Sequence, residues 1–115
     1  MAVPQSLPPH WFHILLSLAD RDLHGLAITK DVHERTDGLV ILWPGMLYGA
    51  LGKMADAGLV TEVMPPATFT IAGGKPRVYR LTALGRKATA AEAERLAALV
   101  DVARSKRLIK RPRTT

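Results

Sequence analysis

The soft metal ligands of this chain are all histidines, because the sequence contains no cysteine. They are His10, His13, His24 and His33. His10 and His13 lie three residues apart and can share one face of a helix. Two ligands do not close a metal site, and no third ligand follows at a supporting spacing. The spacing therefore predicts no metal site.

Catalytic chemistry has no signature in the sequence. Gly73-Gly74-Lys75 is followed by proline, so it is not a phosphate-binding loop, in which serine or threonine follows the lysine. No serine, histidine and carboxylate have the spacing of a catalytic set, and the carboxylates are sparse and scattered. The sequence therefore predicts a protein that is not an enzyme and that has no cofactor.

The charges favour contacts with a polyanion. Residues 1–74 carry four basic and seven acidic side chains, whereas residues 75–115 carry twelve basic and three acidic ones. A basic half on a small domain indicates nucleic acid as the first candidate partner. The alternative is a disordered, solubilising end, because six of those twelve basic side chains lie in the last twelve residues.

One small domain must position these groups, since 115 residues bury a modest core. No run approaches the ~20 apolar residues that a membrane span needs. The N-terminus lacks the basic start of a secretory signal, and the absence of cysteine fits a cytosolic protein. We therefore expect a cytoplasmic protein without membrane contact.

The most sharply bounded element is a helix that begins at Pro44, a favourable first helical residue. Gly58 stands where a helix ends in a left-handed residue, and Leu59 follows to pack back on the last turn. The spacing predicts a buried face of Leu47, Ala50, Leu51 and Met54. It predicts a presented face of Tyr48, Gly49, Gly52, Lys53 and Asp56.

Two helices are predicted before this one. The first runs from Pro9 to about Asp20, and its broad apolar surface indicates either a dimer interface or a centrally buried helix. The second runs from His24 to about Thr36, and Asp37-Gly38 stops it because glycine accepts a positive φ. Residues 39–42 are apolar and partly β-branched, which predicts a short strand.

A two-stranded ribbon and a long helix are predicted after it. Residues 59–64 and 76–81 are predicted to be strands. Residues 65–75 are predicted to form the hairpin loop, with Gly73-Gly74 as its tip. Thr82 is a good N-cap for a helix that runs to about Lys106. The apolar stripe of this helix is too long for one small core, so we expect a partner helix to cover it.

These elements predict a mainly α fold with a small β-hairpin, a winged helix-turn-helix followed by a long C-terminal dimerisation helix. Its expected parts are a flexible arm (1–8), the winged helix-turn-helix domain (9–81), the dimerisation helix (82–106) and a basic, disordered tail (107–115).

Four stretches resemble the PadR family of transcriptional regulators and together cover roughly residues 10 to 104. Residues 44–60, PGMLYGALGKMADAGLV, are similar to the family pattern PGxLYxxLxxLxxxGLI. Residues 24–28, HGLAI, resemble HGYxI, with Leu26 in place of the aromatic residue. Residues 74–85, GKPRVYRLTALG, resemble GRPRKYYRLTxxG, and the terminal helix is the fourth match. The chain looks like the short subclass, without a larger C-terminal domain.

The resemblance implies a homodimeric, DNA-binding repressor. A hydrophobic or aromatic small molecule is expected to relieve the repression. In such a fold the recognition helix, here the helix that begins at Pro44, enters the major groove. The wing, here the two-stranded ribbon of residues 59–81, lies near phosphates or the minor groove. The expected DNA contacts are Gly45, Tyr48, Gly49, Lys53, Lys75 and Arg77. The expected dimer contacts are Trp11, Leu15, Leu96, Leu99, Val100 and Ala103. Trp11 and Phe12 are expected to line an effector pocket, with core packing as the alternative.

Besides Leu26, three positions in or next to the helix that begins at Pro44 depart from the family pattern. Gly49 and Gly52 stand where larger or basic residues are usual, and each glycine costs ~1 kcal/mol of helix stability relative to alanine. They also remove side chains that would read base edges. Trp43 occupies a position where a small polar residue is common. For Tyr48, the alternative to a DNA contact is that its ring only packs against the second helix. The competing hypothesis is a winged-helix protein-interaction module that has lost sequence-specific DNA binding.

Overall fold

The computed structural model describes residues 6–65 and 76–110. This part of the chain contains four helices and a three-stranded antiparallel sheet, the expected mainly α architecture. The elements in chain order are α1 (Pro9–Ser17), β1 (Leu23–His24), α2 (Gly25–Arg35), α3 (Pro44–Asp56), β2 (Val60–Val63), β3 (Val78–Leu81) and α4 (Ala83–Ser105). The expected hairpin tip at Gly73-Gly74 and most of the expected arm and tail lie outside the described residues.

A single apolar core holds the elements together. Helix α1 packs against α2 and α4, α2 packs against α3, and α4 packs against β3. Burying one large aliphatic side chain stabilises the fold by about 1.5–3 kcal/mol. The largest side chains with almost no exposed surface are Ile14, Leu15, Ile28, Leu51, Met54, Leu59 and Val32.

Strand β3 is the central strand of the sheet, because β1 pairs with one edge of it and β2 with the other. The sequence predicted only the β2–β3 ribbon and placed a further strand at residues 39–42. That placement is wrong, because residues 39–42 pair with no strand of the described sheet and form the connection between α2 and α3 instead. Leu42 is buried in the core, whereas Leu39 is 86% exposed.

Helix α1 ends at Ser17, about three residues earlier than its apolar pattern predicted. The chain tightens there, since the N–H of Leu18 is shared by the carbonyls of Ile14 and Leu15. The N–H of Ala19 then donates to Leu16 O at 3.2 Å, a three-residue turn that closes the helix.

Two predicted helix boundaries are confirmed by their backbone geometry. Helix α2 ends at Arg35, and Asp37 and Gly38 both adopt positive φ values, 52° and 80°. Helix α4 begins after Thr82, whose hydroxyl oxygen accepts the N–H of Gly85 at 2.9 Å. A Cβ at Gly85 would overlap the carbonyl oxygen of Leu59, so this helix starts in direct contact with the chain that follows α3.

Leu7, near the end of the expected flexible arm, is buried in the core. It lies beside Glu92 of α4, and its backbone N–H helps to lower the pKa of that carboxylate. The segment just before α1 is therefore attached to α4.

Candidate nucleic-acid interface

Helix α3 is fixed at both ends by its own sequence, with the bounds that its pattern predicted. Trp43 is the N-cap in an extended conformation, and Pro44 follows as the first helical residue. At the other end Gly58 has a φ of 79°. The N–H of Leu59 donates to Met54 O at 2.8 Å and that of Gly58 donates to Ala55 O at 3.0 Å, a Schellman motif.

The inner face of α3 is completely packed. Leu47, Ala50, Leu51 and Met54 are all 3% exposed or less, as their spacing predicted. This packing determines the rotation of the helix about its axis. The opposite face is therefore held at the surface of the protein.

The presented face of α3 is apolar at its start. Trp43 is 65% exposed, and Met46 and Tyr48 are each 44% exposed. Met46 was not among the residues that sequence reasoning selected, because its aliphatic side chain suggests core packing. Its position one residue before buried Leu47 was the available signal that it lies off the packed face.

Three glycines make the rest of this face smooth. A Cβ at Gly45, Gly49 or Gly52 would meet no atom within 4 Å. Packing within the protomer therefore does not require glycine at these positions. They leave the helix backbone open to close approach from outside.

Tyr48 connects α3 to the start of α2. A Cβ at Gly25 would overlap Tyr48 Oη and lie 2.8 Å from its Cζ, so the ring packs directly on the first residue of α2. That residue follows the N-cap His24, whose Nδ1 accepts the N–H of Ala27 at 3.3 Å. The packing role of Tyr48 against the second helix is thus real, and the ring still keeps an exposed edge.

The cations of α3 and β3, and the one just before β3, differ in their partners. Lys53 in the last turn of α3 and Arg77 before β3 are exposed, and neither has an ion-pair partner among the described residues. Arg80 instead donates to Asp22 at 2.9–3.3 Å, and this carboxylate raises the pKa of the guanidinium. Lys75 lies outside the described residues.

The apolar stripe of α4 is covered only in its first half. Ala88 is buried against the core, whereas Leu99 and Val100 are 54% and 38% exposed. Leu96 and Ala103 are half-buried, as is Trp11 on α1. The remaining expected dimer residue, Leu15, has no exposed surface, so its side chain packs inside the protomer.

The sequence matches one known protein family over most of its length. The transcriptional regulator PadR-like family matches residues 14–91, which extend from α1 into α4 and make up more than half of the chain. The chain belongs to the PadR-like family of transcriptional regulators. The resemblance seen in the sequence is confirmed.

Solved structures share the winged-helix fold of this PadR-like chain. A Clostridium thermocellum transcriptional regulator has a TM-score of 0.69 at 23% identity, over 83% of this chain and 86% of that one. A Clostridium difficile PadR family regulator has 0.67 at 25% identity, over 83% and 96%. Bacillus subtilis PadR in complex with operator DNA has 0.60 at 18% identity, over 94% of this chain and 51% of that one. No curated protein matches the sequence significantly.

The PadR-like chain has an apolar cavity of about 290 Å³ between the segment before α1, α1 itself and α4. Phe12 and Leu96 line it, but Trp11 does not. At its polar edge Arg95 donates two hydrogen bonds to Glu92 at 2.7 and 2.9 Å, which lowers the pKa of that carboxyl. Sequence reasoning missed this ion pair, because nothing in the pattern of α4 shows that the N-terminal segment packs over it.

A larger cavity of about 630 Å³ lies between β1, the start of α2 and the ends of β2 and β3. Apolar side chains such as Leu23, Val63 and Val78 form most of its wall. No sequence pattern predicts this cavity, because its wall comes from three separate segments.

Within residues 6–65 and 76–110, no three histidine or carboxylate side chains come together as metal ligands. His13 is partly buried beside Arg35, and burial, followed by that positive charge, lowers its pKa below the usual 6.5. No helix in the described part of the PadR-like chain is long and apolar enough to span a bilayer.

Proposed function

We propose that this PadR-like chain is a homodimeric transcriptional repressor that binds operator DNA through α3 and is released by a hydrophobic or aromatic small molecule. The observation that carries the proposal is the position of α3, exposed along one face beside the start of α2. In a helix-turn-helix the second helix lies in the major groove with its N-terminal residues at the base edges. Bacillus subtilis PadR, a relative of the same fold, was solved with operator DNA, which supports DNA as the partner.

The phosphate contacts come from the helix start and the wing. The N-terminal N–H groups of α3, among them that of Gly45, offer donors and a positive helix end to a phosphate. Gly49 permits a close approach of the DNA backbone, and the exposed edge of Tyr48 adjoins the start of α2. Lys53, with Lys75 and Arg77 from the wing, supplies positive charge.

The second copy of the chain covers the outer half of α4. Leu96, Leu99, Val100 and Ala103 recur at helical spacing, and the two in the middle are uncovered in the protomer. Trp11 on α1 adds a half-buried aromatic surface to the interface. Because Leu15 is fully buried in the protomer, it is not part of the interface that we propose.

The effector binds in the cavity that Phe12 lines. This cavity adjoins both α1 of the DNA-binding domain and α4, which we assign to dimerisation. A ligand there contacts both elements, so it favours one arrangement of the recognition helices if its contacts differ between arrangements. An apolar wall suits a hydrophobic or aromatic molecule.

One observation favours the competing role of a protein-interaction module. Helix α3 carries a single basic residue, Lys53 in its last turn, while Trp43 and Met46 expose apolar surface at its start. Exposed apolar patches often mark protein interfaces. A protein partner would then occupy the same face of α3.

The test is binding of the purified protein to a duplex from its own upstream region and to a scrambled duplex, across a salt series. We expect tighter binding to the first duplex, two protomers per site, and an affinity that falls steeply with salt because bound phosphates release counterions. A variant with alanine in place of Lys75 and Arg77 should bind both duplexes more weakly, by the same factor. The slope of log affinity against log salt concentration should fall by about one per lost phosphate contact.

Lys87→Ala is the matched control, because this exposed lysine lies on α4, away from the wing. Equal affinity for the two duplexes at physiological salt would overturn the repressor proposal and favour the protein-interaction module. An unchanged slope in the wing variant would remove the wing from the mechanism.

A further inference from the structure

We propose that the apolar side chains at the start of α3 read the methyl groups of thymine, so that Trp43 and Met46 are the specificity-determining residues of this chain. The inference rests on the proposed function, since it takes duplex DNA as the occupant of the presented face of α3. It adds the chemical feature of the operator that this face recognises.

Few side chains of α3 are able to reach a base edge. Between Trp43 and Gly52 the inner residues are packed in the core and the three exposed glycines have no side chain. Tyr48 has its hydroxyl against Gly25 at the start of α2, a position that suits a phosphate contact rather than a base contact. Trp43, Pro44 and Met46 remain as exposed side chains, and of these only Trp43 and Met46 are long enough to extend from the helix.

These two side chains are poor readers of hydrogen-bonding groups. The thioether of Met46 is at most a weak acceptor, and the indole of Trp43 has a single N–H donor. Acceptors for that donor occur on adenine, guanine and thymine alike in the major groove. Hydrogen bonds from this part of α3 therefore discriminate poorly between the bases.

The major groove offers an apolar reader one strong feature, the C5-methyl group of thymine. Trp43 is 65% exposed and Met46 is 44% exposed, so both have apolar surface that leaves water when such a methyl group packs against it. The neighbouring Gly45 and Gly49 carry no Cβ, which allows the duplex to approach the helix closely. The geometry thus favours thymine-containing half-sites.

The experiment replaces each thymine of a selected operator by deoxyuridine, which removes the methyl group and keeps every hydrogen-bonding group. We expect about a fourfold loss of affinity per contacted methyl group, the factor for burying one group of this size. A symmetrical replacement in both half-sites should lower the affinity by about fifteenfold.

Where the replaced thymine is the one that Met46 contacts, the Met46→Ala variant should bind the thymine and uracil duplexes with nearly equal affinity. Met64→Ala is the matched control, because Met64 is 89% exposed but lies after β2, outside α3. This control should keep the wild-type ratio between the two duplexes. Trp43→Ala should reduce the ratio at a second position, independently of Met46.

The outcomes separate this inference from the function on which it rests. Specific binding that is indifferent to uracil would overturn the methyl readout and leave the repressor proposal standing. A Met46→Ala variant that binds the thymine and uracil duplexes more weakly by the same factor would also overturn the methyl readout. Met46 would then position the helix and not read the base. Failure of the wild-type protein to prefer any selected duplex over a scrambled one would overturn the proposed function itself, and the inference with it.

Discussion

At the scale of single residues, the glycines of two helices stand in opposite environments. Gly52 in α3 has no neighbour within 4 Å of the place a Cβ would take. At Gly85 in α4 the same atom would overlap the carbonyl oxygen of Leu59 and lie 2.7 Å from Leu81 Cδ1. The first glycine is therefore a local weakness of its helix, and the second permits two segments to touch.

We expect Gly52→Ala and Gly85→Ala to change stability in opposite directions. Alanine at position 52 should raise the free energy of unfolding by about 0.5–1 kcal/mol, because it limits the unfolded backbone and favours the helix. Alanine at position 85 should lower it by about 1–3 kcal/mol, because backbone atoms must move apart. Urea denaturation of both variants beside the wild type measures the difference, and a Gly85→Ala protein of unchanged stability would contradict the close contact.

At the scale of elements, a polar cluster joins α1 to α2. Ser17 donates to Asp31 Oδ2 at 2.7 Å, and Arg35 donates to Ser17 Oγ at 2.8 Å. Arg35 also donates to the carbonyl of His13 at 3.0 Å. The hydrogen bond from Ser17, followed by Arg35, lowers the pKa of Asp31, while burial and Arg35 lower that of His13.

This cluster should make the protein less stable as the pH falls. A lowered pKa in the folded state means that the unfolded chain binds the proton more readily, so stability rises with pH. The contribution of His13 is complete above its usual value of 6.5 and is lost as the pH falls through its lowered pKa. The contribution of Asp31 is lost in a separate window below its usual 3.8.

Thermal unfolding measured from pH 8 to pH 3 checks this prediction. His13→Asn should flatten the curve in the interval just below pH 6.5, because asparagine does not ionise, and should leave the acid limb in place. Asp31→Asn should do the reverse. A wild-type curve that matches the His13→Asn curve over that interval would show that His13 is not coupled to folding.

The elements show how far local sequence determines this fold. Helix α3 was predictable because Pro44, the buried-face spacing and Gly58 are all local signals, and Thr82 likewise marked the start of α4. The two-residue strand β1 was not predictable, because it has no periodicity and exists through pairing with β3. Residues 39–42 have strand-like composition but pair with no strand of the described sheet.

The candidate site was predictable to a similar extent. The presented face of α3 followed from helical spacing, and the glycines on it are visible in the sequence. The buried state of Leu15 and the attachment of Leu7 to Glu92 were not visible, because both depend on contacts between distant segments. Periodicity shows that a face is apolar, and only the packing shows what covers it.

At the scale of the whole molecule, the chain is more extended than its length requires. Its radius of gyration is 16.0 Å, whereas a compact domain of this size has about 13 Å. Helix α4 contributes to this elongation, because its start is held by Ala88 and Glu92 in the protomer while its second half projects with Leu99 and Val100 uncovered. An apolar surface that the protomer does not cover is the reason to expect a second copy there.

We therefore expect Leu99→Glu to convert the protein to a monomer, because a second copy would have to bury two unpaired carboxylates in an apolar contact. Ala98→Glu is the matched control, since residue 98 lies on the opposite side of α4, near Glu94 and Asp101. Sedimentation velocity should show a dimer for the wild type and for Ala98→Glu, but not for Leu99→Glu. The monomer should bind a two-half-site operator at least about 100-fold more weakly, because the second half-site no longer benefits from linkage. A Leu99→Glu protein that remains dimeric with full affinity would place the interface elsewhere, and the uncovered half of α4 would then need another partner.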